Sequence, residues 1–487
     1  MIANLKEPGL FRESAFIGGE WVRAGSAATI AVDNPATGTV IGTVPDCDAA
    51  DTQQAIAAAG TAFGPWRERT ASERAAILER WHALVLENAA DLGRIMTAEQ
   101  GKPLAEAEGE IRYAATFIKW FAEEGRRASG HDVLAPEGNR RIFVMKQPIG
   151  VSAAITPWNF PAAMITRKCA PALVAGCPVV VKPSDFTPYT ALALARLAEL
   201  AGFPKGTINI LTGRPEGIGG ALTSSPVVRK LSFTGSTRVG SLLLRQCADT
   251  VKRTSLELGG NAPLIVFEDA DIDLAVESAM ISKFRNAGQT CVCANRILVQ
   301  DGVHDVFAEK LAKAVSALRV GPGDREGSTI GPLINIAAAE KVKAHVDDAL
   351  SHGATLFASA DNGMAEARFV APVILTGASQ SMRLASEETF GPVAPLFRFS
   401  HEEEAIEIAN ATEYGLASYF YTENIHRAFR VAERLEAGMV ALNTGSVAME
   451  MAPFGGIKMS GLGREGGRAG LEEYLEPKAF HIAGLKL

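Results

Sequence analysis

Residues 149–257 open with Ile149-Gly-Val-Ser-Ala-Ala-Ile155 and close with Ser255-Leu-Glu257, and between those ends short apolar runs alternate with stretches of helical spacing. The runs are Val151–Ile155, Pro178–Val181, Ile208–Leu211 and Lys230–Phe233; the helix-like segments are Ala162–Ala175, Tyr189–Ala201 and Pro215–Ser224. Strands that are apolar throughout, joined by helical crossovers, are what a parallel sheet covered on both faces requires, so this stretch predicts successive βαβ units and an α/β fold. Downstream, a second series at Leu264–Phe267, Ile297–Val299, Val370–Ile374 and Val393–Phe397 predicts a second α/β unit. Upstream, strands at Phe16–Ile17 and Thr29–Val32 precede amphipathic helices at Ala49–Ala62 and Ser72–Asn88, each opened by an Asp or Ser cap. The turn-rich segment Pro453 to Gly470 leads to a tail ending in Phe480–Ile482, too short for its own core and expected to add a strand to another sheet or subunit.

The chain of 487 residues allows two to four domains at roughly 100–200 residues each. With 48 basic against 55 acidic residues it carries a net charge of −7, which argues against nucleic acid or an anionic membrane as its main partner. No apolar run reaches the roughly 18 residues of a spanning helix, and Met1 to Phe11 lacks the pattern of a secretory leader. Six cysteines in such a length do not form a disulfide framework, so a reducing cytoplasm is the expected location.

Several strand ends carry candidate chemistry. Gly461-Leu-Gly463-Arg-Glu-Gly466 matches the spacing of a dinucleotide fingerprint, but it lies too near the end of the chain for a βαβ unit to follow, and reads as a turn-rich loop. Val179-Val-Val-Lys182-Pro183-Ser184-Asp185 places charge at the end of a buried strand, and Phe233-Thr-Gly235-Ser236 places a glycine and a helix N-terminus at another; both are where open α/β sheets bind phosphorylated ligands. Taken alone, Ser236 is equally a helix cap and Lys182 a solvated lysine. Cys291, in Asn286-Ala-Gly-Gln-Thr-Cys291-Val-Cys293, sits among glycine and polar residues, unlike a structural cysteine, and reads as a nucleophile. The C-x-C spacing is too tight for structural zinc, so no metal is expected; a redox pair of Cys291 with Cys293 is the other reading. Glu257, a lone carboxylate on an apolar strand end, should have a raised pKa and suit a general base, or else be a buried ion-pair partner. Asn159 in Pro157-Trp158-Asn159-Phe160-Pro161 offers an amide donor for an oxyanion, or an Asx turn.

Together these strings resemble the aldehyde dehydrogenase superfamily: Pro-Trp-Asn-Phe-Pro, Lys-Pro-Ser, Phe-Thr-Gly-Ser, Glu-Leu-Gly-Gly, Gly-Gln-Thr-Cys, Glu388-Thr-Phe390-Gly-Pro and Pro453-Phe-Gly-Gly occur in that order. The resemblance implies an aldehyde dehydrogenase-like fold. It divides into a Rossmann-like NAD(P)-binding domain (1–124 and 147–257), an α/β catalytic domain (258–462) and a small β oligomerisation element (125–146 and 463–487) that makes a homodimer or homotetramer. It implies Cys291 as thiolate nucleophile, Glu257 as general base, Asn159 as oxyanion donor beside the Cys291 backbone N–H, and Lys168 with Glu465 as a proton relay. Cofactor contacts fall on Thr156, Pro157, Trp158, Lys182, Pro183, Ser184, Asp185, Gly235, Ser236, Leu258, Glu388 and Phe390.

Within the superfamily, the strings Ala162-Ala-Met-Ile-Thr-Arg167-Lys and Lys283-Phe-Arg285-Asn-Ala-Gly-Gln-Thr-Cys291 resemble the succinate-semialdehyde dehydrogenase subfamily. The resemblance makes Arg167, Arg285 and Phe454 substrate contacts, two guanidinium groups suiting an aldehyde with a distal carboxylate. The implied reaction is NAD(P)-dependent oxidation of succinate semialdehyde to succinate through a cysteine thiohemiacetal and thioester. The alternatives are glutarate semialdehyde or a general aliphatic aldehyde, and, outside redox chemistry, a cysteine thioesterase or esterase. Two departures bear on this. Ala448 stands where the subfamily commonly has a substrate-contacting Ser. Asp185 stands where a Glu accompanies NAD and a small Ser accompanies NADP, and its charge opposes a 2′-phosphate, favouring NAD.

Overall fold

The computed structural model describes residues 5–360, 363–364 and 366–484. The strands expected from residues 149–257 form the centre of an eight-stranded sheet, in the order Gly461–Leu462, Arg253–Glu257, Val228–Thr234, Val151–Ile155, Val179–Lys182, Ile208–Ile210, Ala15–Ile17 and Glu20–Val22. The inner five run parallel, and antiparallel strands close both edges. From Val151–Ile155 the chain steps outward through Val179–Lys182 and Ile208–Ile210, then returns to the opposite side for Val228–Thr234 and Arg253–Glu257. The strand order therefore reverses between Val151–Ile155 and Val228–Thr234, the place where an open α/β sheet leaves a crevice beyond its strand C-termini. Register brings those C-termini into line: Thr234 pairs with Glu257, Phe233 with Ile155, and Ile155 with Lys182.

The crossover helices lie close to the expected ranges, at Ala163–Ala175, Pro188–Ala201 and Pro215–Ser224. Ala163–Ala175 is buried along its whole length, Arg167 and Lys168 included, so two cations are carried into the interior on its surface. The expected strand at Pro178 begins instead at Val179, because a proline nitrogen has no hydrogen for the ladder.

The second series forms a seven-stranded sheet: Thr355–Ser359, Val373–Thr376, Val393–Phe399, Ala294–Gln300, Ala262–Val266, Ala417–Tyr421 and Met439–Leu442, parallel except for its first edge strand. The strand expected from Val370 starts at Val373, immediately after Pro372, for the same reason as at Pro178.

Of the four helices that precede the first sheet's core strands, Ala49–Glu68 packs on one face beside Pro215–Ser224, and Ala71–Glu87, Ala89–Gln100 and Leu104–Gly125 lie on the other against Ala163–Ala175 and Pro188–Ala201. Ala71–Glu87 is capped by Thr70 rather than by a Ser at 72: the Thr70 hydroxyl accepts from the Glu73 N–H while the Glu73 carboxylate reaches back to the Thr70 N–H. The tail strand Leu475–Ile482 pairs antiparallel with Arg141–Pro148, which also pairs with His131–Val133, leaving Phe143, Met145 and Phe480 exposed. Gly461-Leu462 is a short strand beside Leu256-Glu257 rather than a plain loop. Among the described residues no helix is long and apolar enough to cross a membrane.

Candidate active site

A cleft of about 280 Å³ opens between the two large sheets, lined by Trp158, Asn159, Gly235, Ser236, Leu258, Cys291, Glu388 and Phe390 among others. The strand ends described above supply one wall. The other comes from the loop that carries Glu388 and Phe390 and from the loop that carries Cys291. The latter starts with Asn286 and Ala287 at φ +52° and +55°, a left-handed conformation that side chains hold only when their surroundings over-determine it. Phe390, at φ +56°, shares that strain, and its ring stands nearly perpendicular to Trp158 at 5.7 Å between centroids.

The residues expected to meet a dinucleotide fall into two groups. Pro157, Trp158, Gly235, Ser236, Leu258, Glu388 and Phe390 line the cleft itself. Thr156, Lys182, Pro183, Ser184 and Asp185 lie at the neighbouring strand ends, where the Thr156 N–H donates to Lys182 O at 3.0 Å. Lys182 is buried and paired with Asp185 at 3.1 Å, so it is not a solvated lysine. Ser236 caps the helix Thr237–Ala248, accepting from the Val239 N–H, and so presents a helix N-terminus to the cleft. The Thr234 hydroxyl lines the same cleft, buried and without a partner, and Glu388 accepts the Gly260 N–H at 3.1 Å. A cleft with an anion-binding end at Ser236, an unused buried donor at Thr234 and a thiol at the far end fits a dinucleotide whose reactive end meets Cys291.

The chemistry at that far end follows from burial. Burial pushes the Cys291 thiol up to about 12; the Arg167 guanidinium opposes this, and the carboxylates of Glu388 and Glu257 add to it. The group is therefore a thiol at neutral pH and reacts only as its proton passes to a base. Glu257 lies at the end of its strand, buried, with neither carboxylate oxygen hydrogen-bonded, which excludes the ion-pair reading. Burial raises its pKa well above the usual carboxylate range, and the nearby charge of Glu465 raises it further. Asn159 donates from Nδ2 to Gln289 O at 3.0 Å and its Oδ1 has no partner, so it does not form an Asx turn. Cys293 is buried against Lys283, whose Nζ is 3.4 Å from its sulfur, and all six cysteines are unpaired.

Glu465 joins two of the expected residues. It accepts from Arg167 Nε at 2.6 Å and from Lys168 Nζ, and Lys168 also donates to the Ser232 hydroxyl at 3.0 Å. Arg167 thus already holds a carboxylate, and its guanidinium carbon lies 4.0 Å from the centroid of the buried Phe454 ring. Arg285 differs: it is exposed, and its guanidinium carbon lies 5.2 Å from the Phe160 centroid. Replacing Glu465 with Gln has a definite sign. It deletes a charge that raises Glu257 and frees two cations that lower it. The acid limb of kcat against pH, along which Glu257 must lose its proton to work, is therefore expected to move to lower pH. A limb that stays in place or moves upward would contradict this.

Sequence reasoning did not find Gln100, Lys102, Glu106, Glu110, Asn286 or Lys341. Lys341 lines the cleft and donates to Glu388 O at 2.6 Å. Glu110 carried a usable signal: it falls in the apolar stripe Ala107, Ile111 and Ala114 of its helix, where a carboxylate is out of place unless it is bonded.

Comparison with known proteins places these features in a family. Residues 21–480 match the aldehyde dehydrogenase family model. A 3-sulfolactaldehyde dehydrogenase of Pseudomonas putida is 58% identical over 99% of each chain. A glutarate-semialdehyde dehydrogenase of Pseudomonas putida is 58% identical over 99% of this chain and 100% of its own. The NADP(+) succinate-semialdehyde dehydrogenase GabD of Escherichia coli K12 is 56% identical over 98% of this chain and 99% of its own.

Proposed function

The chain belongs to the aldehyde dehydrogenase family, and from that premise we propose that it oxidises a short aldehyde bearing an anionic far end, succinate or glutarate semialdehyde, to the carboxylic acid. The observation that carries this reading is the joining, in one cleft, of a thiol, an amide donor and the N-terminus of a helix capped by Ser236, beside a buried carboxylate free of partners. The relatives named above act on aldehydes whose far ends are carboxylates or a sulfonate, which supports an anionic tail.

Cys291 transfers its proton to Glu257 as its sulfur bonds the aldehyde carbon. The oxyanion that results is held by Asn159 Nδ2 and the Cys291 N–H. NAD or NADP, when bound, supplies the hydride acceptor that converts the thiohemiacetal to a thioester. Glu257, having released the first proton, takes one from water as the water oxygen bonds the thioester carbon; the C–S bond breaks and the sulfur leaves with the electron pair. Glu388 and Phe390 would hold the nicotinamide end, Gly235 and Ser236 the pyrophosphate, and Lys182 with Asp185 the adenosine ribose. Asp185 weighs toward NAD, and the GabD enzyme shows that NADP use exists among relatives. Ala448, in place of a hydroxyl, leaves room for a tail longer than that of succinate semialdehyde.

The tail is assigned to Arg285, with Arg167 contributing charge from behind its ion pair with Glu465. The three segments 1–124 with 147–257, 258–462, and 125–146 with 463–487 would act as cofactor, catalytic and assembly units, and the apolar face of Phe143, Met145 and Phe480 would be covered by a second copy in a homodimer or homotetramer. A reducing cytoplasm would keep Cys291 free.

The test is a panel of succinate semialdehyde, glutarate semialdehyde and butanal with each cofactor. The carboxylated aldehydes are expected to lead in kcat/KM. Arg285→Ala should lower that lead about 10- to 100-fold, the loss of a charged hydrogen bond worth about 1.5–3 kcal/mol, and leave butanal unchanged. Equal efficiency for all three aldehydes in the unmutated enzyme would overturn the anionic-tail reading.

A further inference from the structure

The two loops that form the oxyanion site meet a third segment that takes no part in the chemistry, residues 100–110. The helix Ala89–Gln100 stops at Gly101, φ +92°, where a Cβ would come within 2.7 Å of Pro332 and 2.8 Å of Pro35, and the helix Leu104–Gly125 begins three residues on. Between them Lys102 is 2% exposed. Its Nζ donates to Glu110 at 2.5 Å and to Asn159 O at 2.8 Å, and it lies 4.2 Å from the centroid of the Phe160 ring. The other Glu110 oxygen accepts the Ala162 and Ala163 N–H groups at 2.9 and 3.2 Å, at the start of the helix that bears Arg167 and Lys168 and whose own N-cap is an alanine. One turn earlier on the same helix face, Glu106 accepts the Asn286 N–H at 2.9 Å. Gln100 completes the arrangement, donating to Asn286 Oδ1 at 2.9 Å and accepting the Lys102 N–H at 2.9 Å. The Asn159 carbonyl oxygen also receives Asn286 Nδ2 at 3.0 Å, so it accepts one bond from each side.

We propose that Lys102, Glu106 and Glu110 are positioning residues, a clamp that holds the Asn159 loop and the Asn286–Cys291 loop at the separation an oxyanion needs between two donors. The proposal rests on the roles given above to Cys291 and Asn159. The physical reason is the loop's own strain: Asn286 and Ala287 both sit in the left-handed region and relax unless held, and Glu106 and Gln100 hold the first of them from outside the loop. Lys102 does the same for Asn159 from the opposite side. Its charge is matched by Glu110, so the clamp places a strong donor in the interior without an unpaired ion. Misplacing a preorganised donor by about 1 Å costs on the order of 100-fold in rate.

The experiment separates donor geometry from general damage by comparing two reactions of Cys291. Acylation by p-nitrophenyl acetate builds an oxyanion; alkylation by iodoacetamide does not. For Lys102→Met, and for the charge-balanced Lys102→Met with Glu110→Gln, acylation and the rapid NADH burst with semialdehyde are expected to fall about 10- to 100-fold. Alkylation and cofactor affinity should stay within about 2-fold of the unmutated enzyme. Glu106→Gln keeps an acceptor oxygen and should retain acylation, whereas Glu106→Leu should lose it; this pair serves if the Lys102 variants do not fold. Acylation unchanged in all variants, or acylation and alkylation falling together, would overturn the clamp. An unmutated enzyme that cleaves the ester yet forms no NADH or NADPH from any aldehyde would overturn the proposed oxidation instead, and leave the comparison of the two thiol reactions intact.

Discussion

Cys291→Ala is expected to reduce NADH formation from semialdehydes by at least about 10⁴-fold, the scale on which removing a nucleophile acts when its partners remain. Cys291 ends the strained loop beginning at Asn286, faces the cleft, and lies within the field of Arg167, Glu257 and Glu388. No other cysteine can replace it: Cys47, Cys169, Cys177, Cys247 and Cys293 are all buried, and Cys293, two residues away, is against Lys283. The loss should be chemical and not structural. Cofactor binding, read from quenching of the fluorescence of Trp158 in the cleft wall, is expected to persist with an affinity close to that of the unmutated enzyme. Turnover retained in Cys291→Ala, or lost together with cofactor binding, would contradict the assignment.

Glu257→Gln should separate the two halves of the reaction. A thiol near 12 is still far more acidic than water at about 15.7, so the second proton transfer depends more on a positioned base than the first. Rapid mixing with cofactor and semialdehyde is expected to give a slowed burst approaching one NADH per site, followed by a steady rate lowered about 10²- to 10⁴-fold. Gln has nearly the shape of Glu and should fit the same buried place, since neither oxygen of Glu257 has a hydrogen-bond partner to lose. Raising the pH should quicken the burst as hydroxide removes the thiol proton. A variant that turns over normally would exclude Glu257 as the base of deacylation, and one that gives no burst at any pH would contradict the separation of the two half-reactions.

How much of this was legible in the sequence depends on what kind of interaction fixed each feature. The parallel strands of residues 149–257 were legible because burial on both faces leaves an uninterrupted apolar run, and their errors fell on Pro178 and Pro372, where a missing N–H shifts the first paired residue. Cys291, Glu257 and Asn159 were legible as residue types that do not suit their apolar or glycine-rich surroundings. The state of Arg167 was not: its partner Glu465 is 298 positions away, and only the fold brings the two together. The clamp was hidden for the same reason, since Lys102 reaches Asn159 across 57 positions and Glu106 reaches Asn286 across 180. Side-chain pairing across such separations has no local periodicity to reveal it.

The most direct test of the central claim is the mass of Glu257→Gln after mixing with NAD or NADP and semialdehyde. A gain equal to one acyl group per chain, located on the peptide containing Cys291 and matched by one reduced cofactor, is the predicted result. Reduced cofactor formed without that adduct, or an adduct on any other residue, would contradict it.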